Sequence, residues 1–151
     1  MLTAKDSRIG KRFLCCLALV LPMAMPAFAE ETLTRTIQDN ARVLDADVII
    51  VGKQRVILWG VDAPERGQTC VLSGKPWGCY DAAKRKLELL AGRGEVTCML
   101  LGEPDPFNRY FGVCESGGED INAEMVRSGM ALAYLDQTDD YEAVQIGRAH
   151  V

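Results

Sequence analysis

The sequence is short of histidine, of basic charge and of long apolar runs, and each shortage excludes something. It has one histidine, His150, and no C-x-x-C pair, so the ligand spacings of zinc sites are missing. Lys and Arg number 17 against 21 Asp and Glu, a net charge of −4. Broad neutralisation of duplex phosphates needs a basic face, so any contact with nucleic acid has to be local. Beyond the first 29 residues the one linear basic cluster is Lys84-Arg85-Lys86, on a predicted helix. The apolar run Phe13–Met25 is too short for a membrane span of ordinary thickness.

Both ends of the chain read as different from its middle. Lys5, Arg8, Lys11 and Arg12 precede that apolar run, and Ala27-Phe28-Ala29 supplies an A-x-A site. This is the pattern of an export leader over residues 1–29, cleaved after Ala29, which places the mature chain in a periplasm or outside the cell. Cys15 and Cys16 fall inside the leader. At the other end, Gln145–Val151 reads QIGRAHV, which back-translates without strain into the opening of a widely used sequencing-library adapter. The native gene is therefore expected to continue differently after Val144, and His150 is assigned no role. Between these ends, residues 30–144 make one small domain, with 12 basic against 20 acidic residues and a net charge of −8. An acidic balance of this kind favours a metal-ion requirement.

The chemistry concentrates in Asp45–Glu65. Val48–Val51 and Val56–Trp59 are rich in β-branched residues and are joined by Gly52-Lys53, which predicts an antiparallel hairpin. Asp45 and Asp47 precede the first strand; Asp62 and Glu65 follow the second. Folding brings these ends together, and carboxylates so placed repel unless a cation or cationic ligand lies between them.

Four cysteines remain in the mature chain, an even number that in an exported protein predicts two disulfides. Val96–Leu101 and Tyr110–Cys114 read as strands around a turn at Gly102–Asn108. Cys98 and Cys114 are equidistant from Pro106 and face each other across that hairpin, which leaves Cys70 with Cys79. A helix is expected over Cys79–Ala91, with Ala83, Leu87 and Leu90 inward and Gly92 and Gly94 as stops. A second runs from Ile121 to Ser128 with Asp120 as N-cap, Met130–Leu135 reads as a buried strand or extended segment, and Asp139–Val144 begins a third helix that the tail cuts short. The order fits a mainly β α+β fold, a small closed barrel with helices outside.

With these elements placed, the sequence resembles the staphylococcal nuclease family. Asp45-Ala46-Asp47-Val48 stands where the family shows D-G-D-T, and Leu58–Glu65 (LWGVDAPE) where it shows R-L-x-G-I-D-A-P-E without the leading arginine. Asp105-Pro106-Phe107-Asn108-Arg109 matches D-x-Y-G-R, and Asp120–Gly129 carries D-I-N-A-x-M-V-x-x-G. The resemblance implies a five-stranded OB-fold barrel with three flanking helices. It implies Ca²⁺ held by Asp47, Asp62 and the backbone carbonyl of Ala63, all hard oxygen donors. It places Glu65 on the attacking water and Arg109 on the phosphoryl transition state. Phe107 stands at a substrate-contacting position where the family has a tyrosine. The implied substrate is single-stranded or denatured DNA, or RNA, cleaved by a monomer.

The family's second arginine belongs five residues before Asp62, where this chain has Ile57. Arg55 points to the same side of the strand, about 6.6 Å further along it, and is the candidate stand-in. Losing a transition-state arginine costs about 10³–10⁵ in rate. Two readings follow: an exported Ca²⁺-dependent phosphodiesterase, and a catalytically lapsed OB-fold module that binds nucleic acid or protein. Trp77 is read first as an anchor of the disulfide-closed loop and second as a base-stacking residue, while Trp59 is read as packing.

Overall fold

The computed structural model describes residues 34–149; the leader with its cleavage site, Cys15, Cys16 and His150 lie outside the described residues. The chain opens with β1 (Thr34–Asp39) and β2 (Ala41–Val43), which only Asn40 separates. The predicted hairpin follows as β3 (Val48–Val51) and β4 (Gln54–Leu58), paired antiparallel with Val51 opposite Gln54. Gly52 has φ of +60°, the left-handed conformation that the tight turn demands and glycine supplies without strain.

After the short β5 (Val61–Asp62) comes a separate hairpin, β6 (Cys70–Leu72) with β7 (Lys75–Trp77). Helix α1 (Cys79–Ala91) coincides with the expected span. Strands β8 (Val96–Leu101) and β9 (Arg109–Ser116) pair antiparallel with Cys98 directly opposite Cys114. Both expected disulfides form, Cys70–Cys79 and Cys98–Cys114. The chain closes with β10 (Glu119–Asp120), α2 (Ile121–Arg127), β11 (Leu132–Ala133) and α3 (Glu142–Ala149).

The fold is mainly β with three helices. The main sheet runs β1-β8-β9-β4-β3-β2, with β10 added against β9 and β4 parallel to β9. Its two outermost strands, β1 and β2, are consecutive in the chain across Asn40, so one bent segment pairs with β8 at one end and with β3 at the other. The core lies on the inner face: Ile49, Val51, Val56, Leu58, Val96 and Leu100 from the strands meet Leu87 and Leu90 of α1 and Ile121, Met125 and Val126 of α2. Each such side chain, fully buried, contributes about 1.5–3 kcal/mol relative to exposure. Among the described residues no helix is long and apolar enough to cross a membrane.

Asp120 caps α2 as expected, its carboxylate accepting the Ala123 N–H at 2.9 Å. Two boundaries differ from expectation. Of Met130–Leu135 only Ala131 is buried; Leu132 and Leu135 are about half exposed, at 52 % and 53 %. The reason is that β11 pairs only with the two-residue β5, so no layer covers its outer side. Helix α3 begins at Glu142, whose N–H reaches back to the Asp139 carbonyl at 3.0 Å.

Candidate active site

A bend, a turn and a loop bring the acidic residues of the hairpin ends together. Leu44 and Asp45 both donate backbone N–H groups to the Val48 carbonyl, at 2.8 and 3.1 Å, which folds Asp45-Ala46-Asp47 into a compact bend before β3. Ala46 is buried there without a positive φ, so an alanine fills this position with no backbone conflict. The Asp47 carbonyl accepts the Leu58 N–H at 2.9 Å, tying the bend to the end of β4.

Beyond β4 the chain turns at Gly60, with φ of +70°, and a Cβ there would lie 2.5 Å from Thr138 Cγ2 and 2.9 Å from the Tyr141 ring. Only glycine fits. Its N–H donates to Gln137 Oε1 at 2.8 Å, and its carbonyl accepts from Tyr134 N–H at 2.9 Å. That anchorage directs Val61-Asp62 into β5 and toward the bend. Glu65 follows in a loop closed twice by Gln68: the Glu65 N–H donates to Gln68 Oε1 and the Gln68 N–H to the Glu65 carbonyl, both at 2.9 Å. Gln68 escaped the sequence reading, although a Gln side chain reaching back three residues to a backbone N–H is the closing half of a capping box.

Asp47 is the electrostatic centre of this rim. Burial, followed by repulsion from Asp45, Glu65 and Asp62, pushes its carboxyl up to about 6, against a partial offset from its own backbone N–H. Asp45 goes the other way. Burial works against its charge, but the Tyr80 hydroxyl turned toward it, the Ala46 N–H and Arg66 outweigh that and hold it below the usual carboxylate range. Arg66 lies 3.3 Å from Asp45 and over the face of Tyr80, and the Tyr80 hydroxyl stops short of hydrogen-bond geometry. One rim acid is thus neutralised from within while Asp47 faces like charge.

Among the described residues no three histidine, cysteine or acidic side chains close into a metal cage. What the rim offers is two carboxylates, Asp47 and Asp62, beside the backbone of buried Ala63. This oxygen-only set suits a hard cation that keeps open positions for water and ligand. A cavity of about 250 Å³ adjoins it, lined by Asp62, Ala63 and half-buried Trp77 together with Met130 and Leu132.

The arginines sit on the outer face of the sheet. Arg109 begins β9, and its guanidinium is gripped by Asp105 through Nε at 2.8 Å and Nη2 at 2.7 Å. Asp105 also accepts the N–H groups of Phe107 and Arg109 at 2.9 Å. Burial opposes its charge, but Arg109 and these donors together outweigh it and hold the carboxyl below the usual carboxylate range. Asn108 takes φ of +56°, a conformation asparagine tolerates better than most residues, where the resembled motif has glycine. Exposed Phe107 lies under the Arg109 guanidinium, 5.2 Å from it.

Arg55 is the register partner of Arg109 across the parallel β4–β9 pair. Ile57 sits in a different row, opposite Val48 on one side and Phe111 on the other. Phe111 in turn meets Trp59 edge-on at 5.5 Å. The row between the arginines and the acidic rim is therefore apolar.

Asn122 holds these parts in register and was not singled out from sequence. It is fully buried, its Nδ2 donating to the Trp59 and Gly112 carbonyls at 2.9 and 3.1 Å and its Oδ1 accepting the Cys114 N–H at 3.1 Å. α2 is thereby pinned to β9 and to the exit of β4.

The model of the family described as "Staphylococcal nuclease homologue" matches residues 55–149. Asp45 and Asp47 precede that stretch and join the site through the hairpin register. The chain is 35 % identical over 130 residues to micrococcal nuclease of Shigella flexneri, covering 78 % of this chain and 66 % of that protein. It is 31 % identical over 95 residues to succinoglycan biosynthesis protein ExoI of Rhizobium meliloti (strain 1021), covering 62 % of this chain. The matched region spans half the length of that second protein. Family model, motif order and nuclease relative agree, and the chain belongs to the staphylococcal nuclease homologue family.

Proposed function

We propose that this chain is an exported, Ca²⁺-dependent phosphodiesterase that cleaves single-stranded or denatured DNA, or RNA. The observation that carries the reading is the placement of Asp47 where the β3–β4 hairpin ends, its carbonyl tied to the Leu58 N–H and its carboxylate facing Asp45, Glu65 and Asp62. An arrangement in which ionisation is penalised by its neighbours is relieved by a cation.

Asp47, Asp62 and the Ala63 carbonyl would hold that cation, which when bound supplies charge neutralisation at the scissile phosphate. Glu65, exposed at the rim with its backbone fixed by Gln68, orients the attacking water and accepts its proton. Arg109, preset by Asp105, donates to the non-bridging phosphate oxygens as charge accumulates there. Arg55, its cross-strand neighbour, is the second positive group within reach of the same anion. Phe107 offers a ring face to the substrate. The main sheet, continuous through the bend at Asn40, is read as the five-stranded OB barrel of the family, and the two disulfides accord with an oxidising, extracytoplasmic location.

One observation favours a binding module without catalysis. Ile57 lies in an apolar row with Val48 and Phe111, so the site has one preset arginine where the resembled motif has two. Glu65→Gln separates the readings. On the hydrolytic reading, cleavage of heat-denatured DNA in Ca²⁺ falls by about 10²–10³ or more while DNA binding persists. Cleavage by Glu65→Gln equal to the parent's would overturn it.

A further inference from the structure

The strand register assembles a charged feature that no stretch of sequence contains. Arg42 of β2 pairs with Ile50 of β3, Ile50 with Arg55 of β4, and Arg55 with Arg109 of β9. Residues paired in this way project to the same face of a sheet, and burial shows which face. Ile49 and Val51 flank Ile50, Val56 follows Arg55, and all three are buried. Arg42, Ile50, Arg55 and Arg109 therefore stand on the outer face, in a line perpendicular to the strands. At about 4.8 Å per strand, Arg42 lies about 10 Å from Arg55 and about 14 Å from Arg109.

Within this acidic domain the row stands out by being largely unneutralised. Arg109 is paired with Asp105; among the described residues neither Arg42 nor Arg55, both exposed, forms an ion pair. The row's third strand position is an aliphatic residue, Ile50, not an acid. At its head, beside Arg109, stands the exposed ring of Phe107.

We infer that this row is a track for the phosphates of one nucleic-acid strand, which leaves the cleavage site at Arg109 and crosses β4, β3 and β2 over Arg55 and Arg42. The inference rests on the phosphodiesterase reading and gives its single-stranded substrate a path across the sheet. A single file of cations follows one backbone. A duplex presents two, and holding it by charge requires the broad basic face that a domain of net charge −8 lacks. A track of cations with an aromatic ring at one end is the usual composition of a single-strand site. The linear cluster Lys84-Arg85-Lys86 lies on α1, outside this row.

The test is the salt dependence of binding by the full chain carrying Glu65→Gln, which spares the ligand. Affinity for a labelled oligothymidylate of about 16 nucleotides is measured in Ca²⁺ from about 50 to about 200 mM salt. Each phosphate contact contributes about 0.7 to the slope of log K against log salt on a single strand. Arg42→Ala and Arg55→Ala each lower the slope by about 0.7, Arg42→Lys restores it, and Arg85→Ala leaves it unchanged. With otherwise wild-type protein, Arg42→Ala raises KM for single-stranded DNA and leaves kcat alone. A slope and KM unmoved by Arg42→Ala, in protein that still cleaves, would overturn the track and leave the phosphodiesterase reading standing. A slope that follows Arg85 would overturn it as well. A slope that follows Arg42 in protein that never cleaves supports the track and refutes hydrolysis instead.

Discussion

Removing the cation should expose Asp47 as a liability, and Asp47→Asn should then stabilise the protein. In the folded state its carboxyl sits at about 6 against an ordinary 3.8, because of burial first and of Asp45, Glu65 and Asp62 next. The folded value is raised, so the folded state holds this proton more firmly than the unfolded chain. The associated stability is fully present below about pH 4 and is lost as pH climbs through 6. At pH 8 the ionised carboxylate costs about 3 kcal/mol, and at pH 5 about half of that. In a chelator at pH 8, Asp47→Asn removes the cost, which for a domain of this size raises Tm by about 10 °C; at pH 5 the gain shrinks by about half. With saturating Ca²⁺ the order reverses, since the parent gains binding energy through its carboxylate and the variant loses it. Thermal unfolding followed by circular dichroism at both pH values, with and without chelator, reads all four conditions. An Asp47→Asn protein that melts at or below the parent in chelator at pH 8 would refute the reasoning.

Three further outcomes follow from particular contacts. Asn122→Ala strands the Trp59 carbonyl and the Cys114 N–H and leaves the Gly112 carbonyl only the Trp59 N–H, and denaturant unfolding should register a loss of about 2–4 kcal/mol. Gly60→Ala combines a left-handed backbone with a Cβ 2.5 Å from Thr138, so a loss of about 2–4 kcal/mol is expected in the same measurement. Arg109→Lys keeps the charge but gives up the planar fork that Asp105 presets, and kcat on single-stranded DNA should drop by about 10²–10³ with little change in Tm.

Local pattern carried much of the fold. The β-branched runs around Gly52-Lys53, the stop glycines after Ala91 and the Asp120 cap each state a structure within a few residues. Cys98 and Cys114 were legible because a hairpin reflects the chain about Pro106, and position then fixes the partner. The acidic rim was legible for the same reason, since a hairpin brings its own ends together. What escaped depends on pairings between distant segments. Arg42, Arg55 and Arg109 become neighbours only through the β2–β3 and β4–β9 registers, and no window of sequence contains them. Arg55, judged by its distance from Ile57 along one strand, proves to be one strand away from Arg109. Asn122 reads as an ordinary helix residue until three backbone groups, two from β9 and one just past the end of β4, converge on it. The Met130–Leu135 run is apolar enough to be read as buried, yet burial depends on a covering layer, which β5 is too short to provide.

The central claim is that the acidic rim and Arg109 form a working Ca²⁺-dependent phosphodiesterase site that lacks one arginine, at Ile57. The direct measurement is hydrolysis of heat-denatured DNA by the parent and by Ile57→Arg, in Ca²⁺ and in chelator. The new guanidinium would lie on the outer face, its stem along Val48 and Phe111, one register step from Arg55. The account predicts slow, calcium-dependent cleavage by the parent and an increase of about 10²–10³ in Ile57→Arg. Folded protein that cleaves nothing in either form, with or without Ca²⁺, would contradict it.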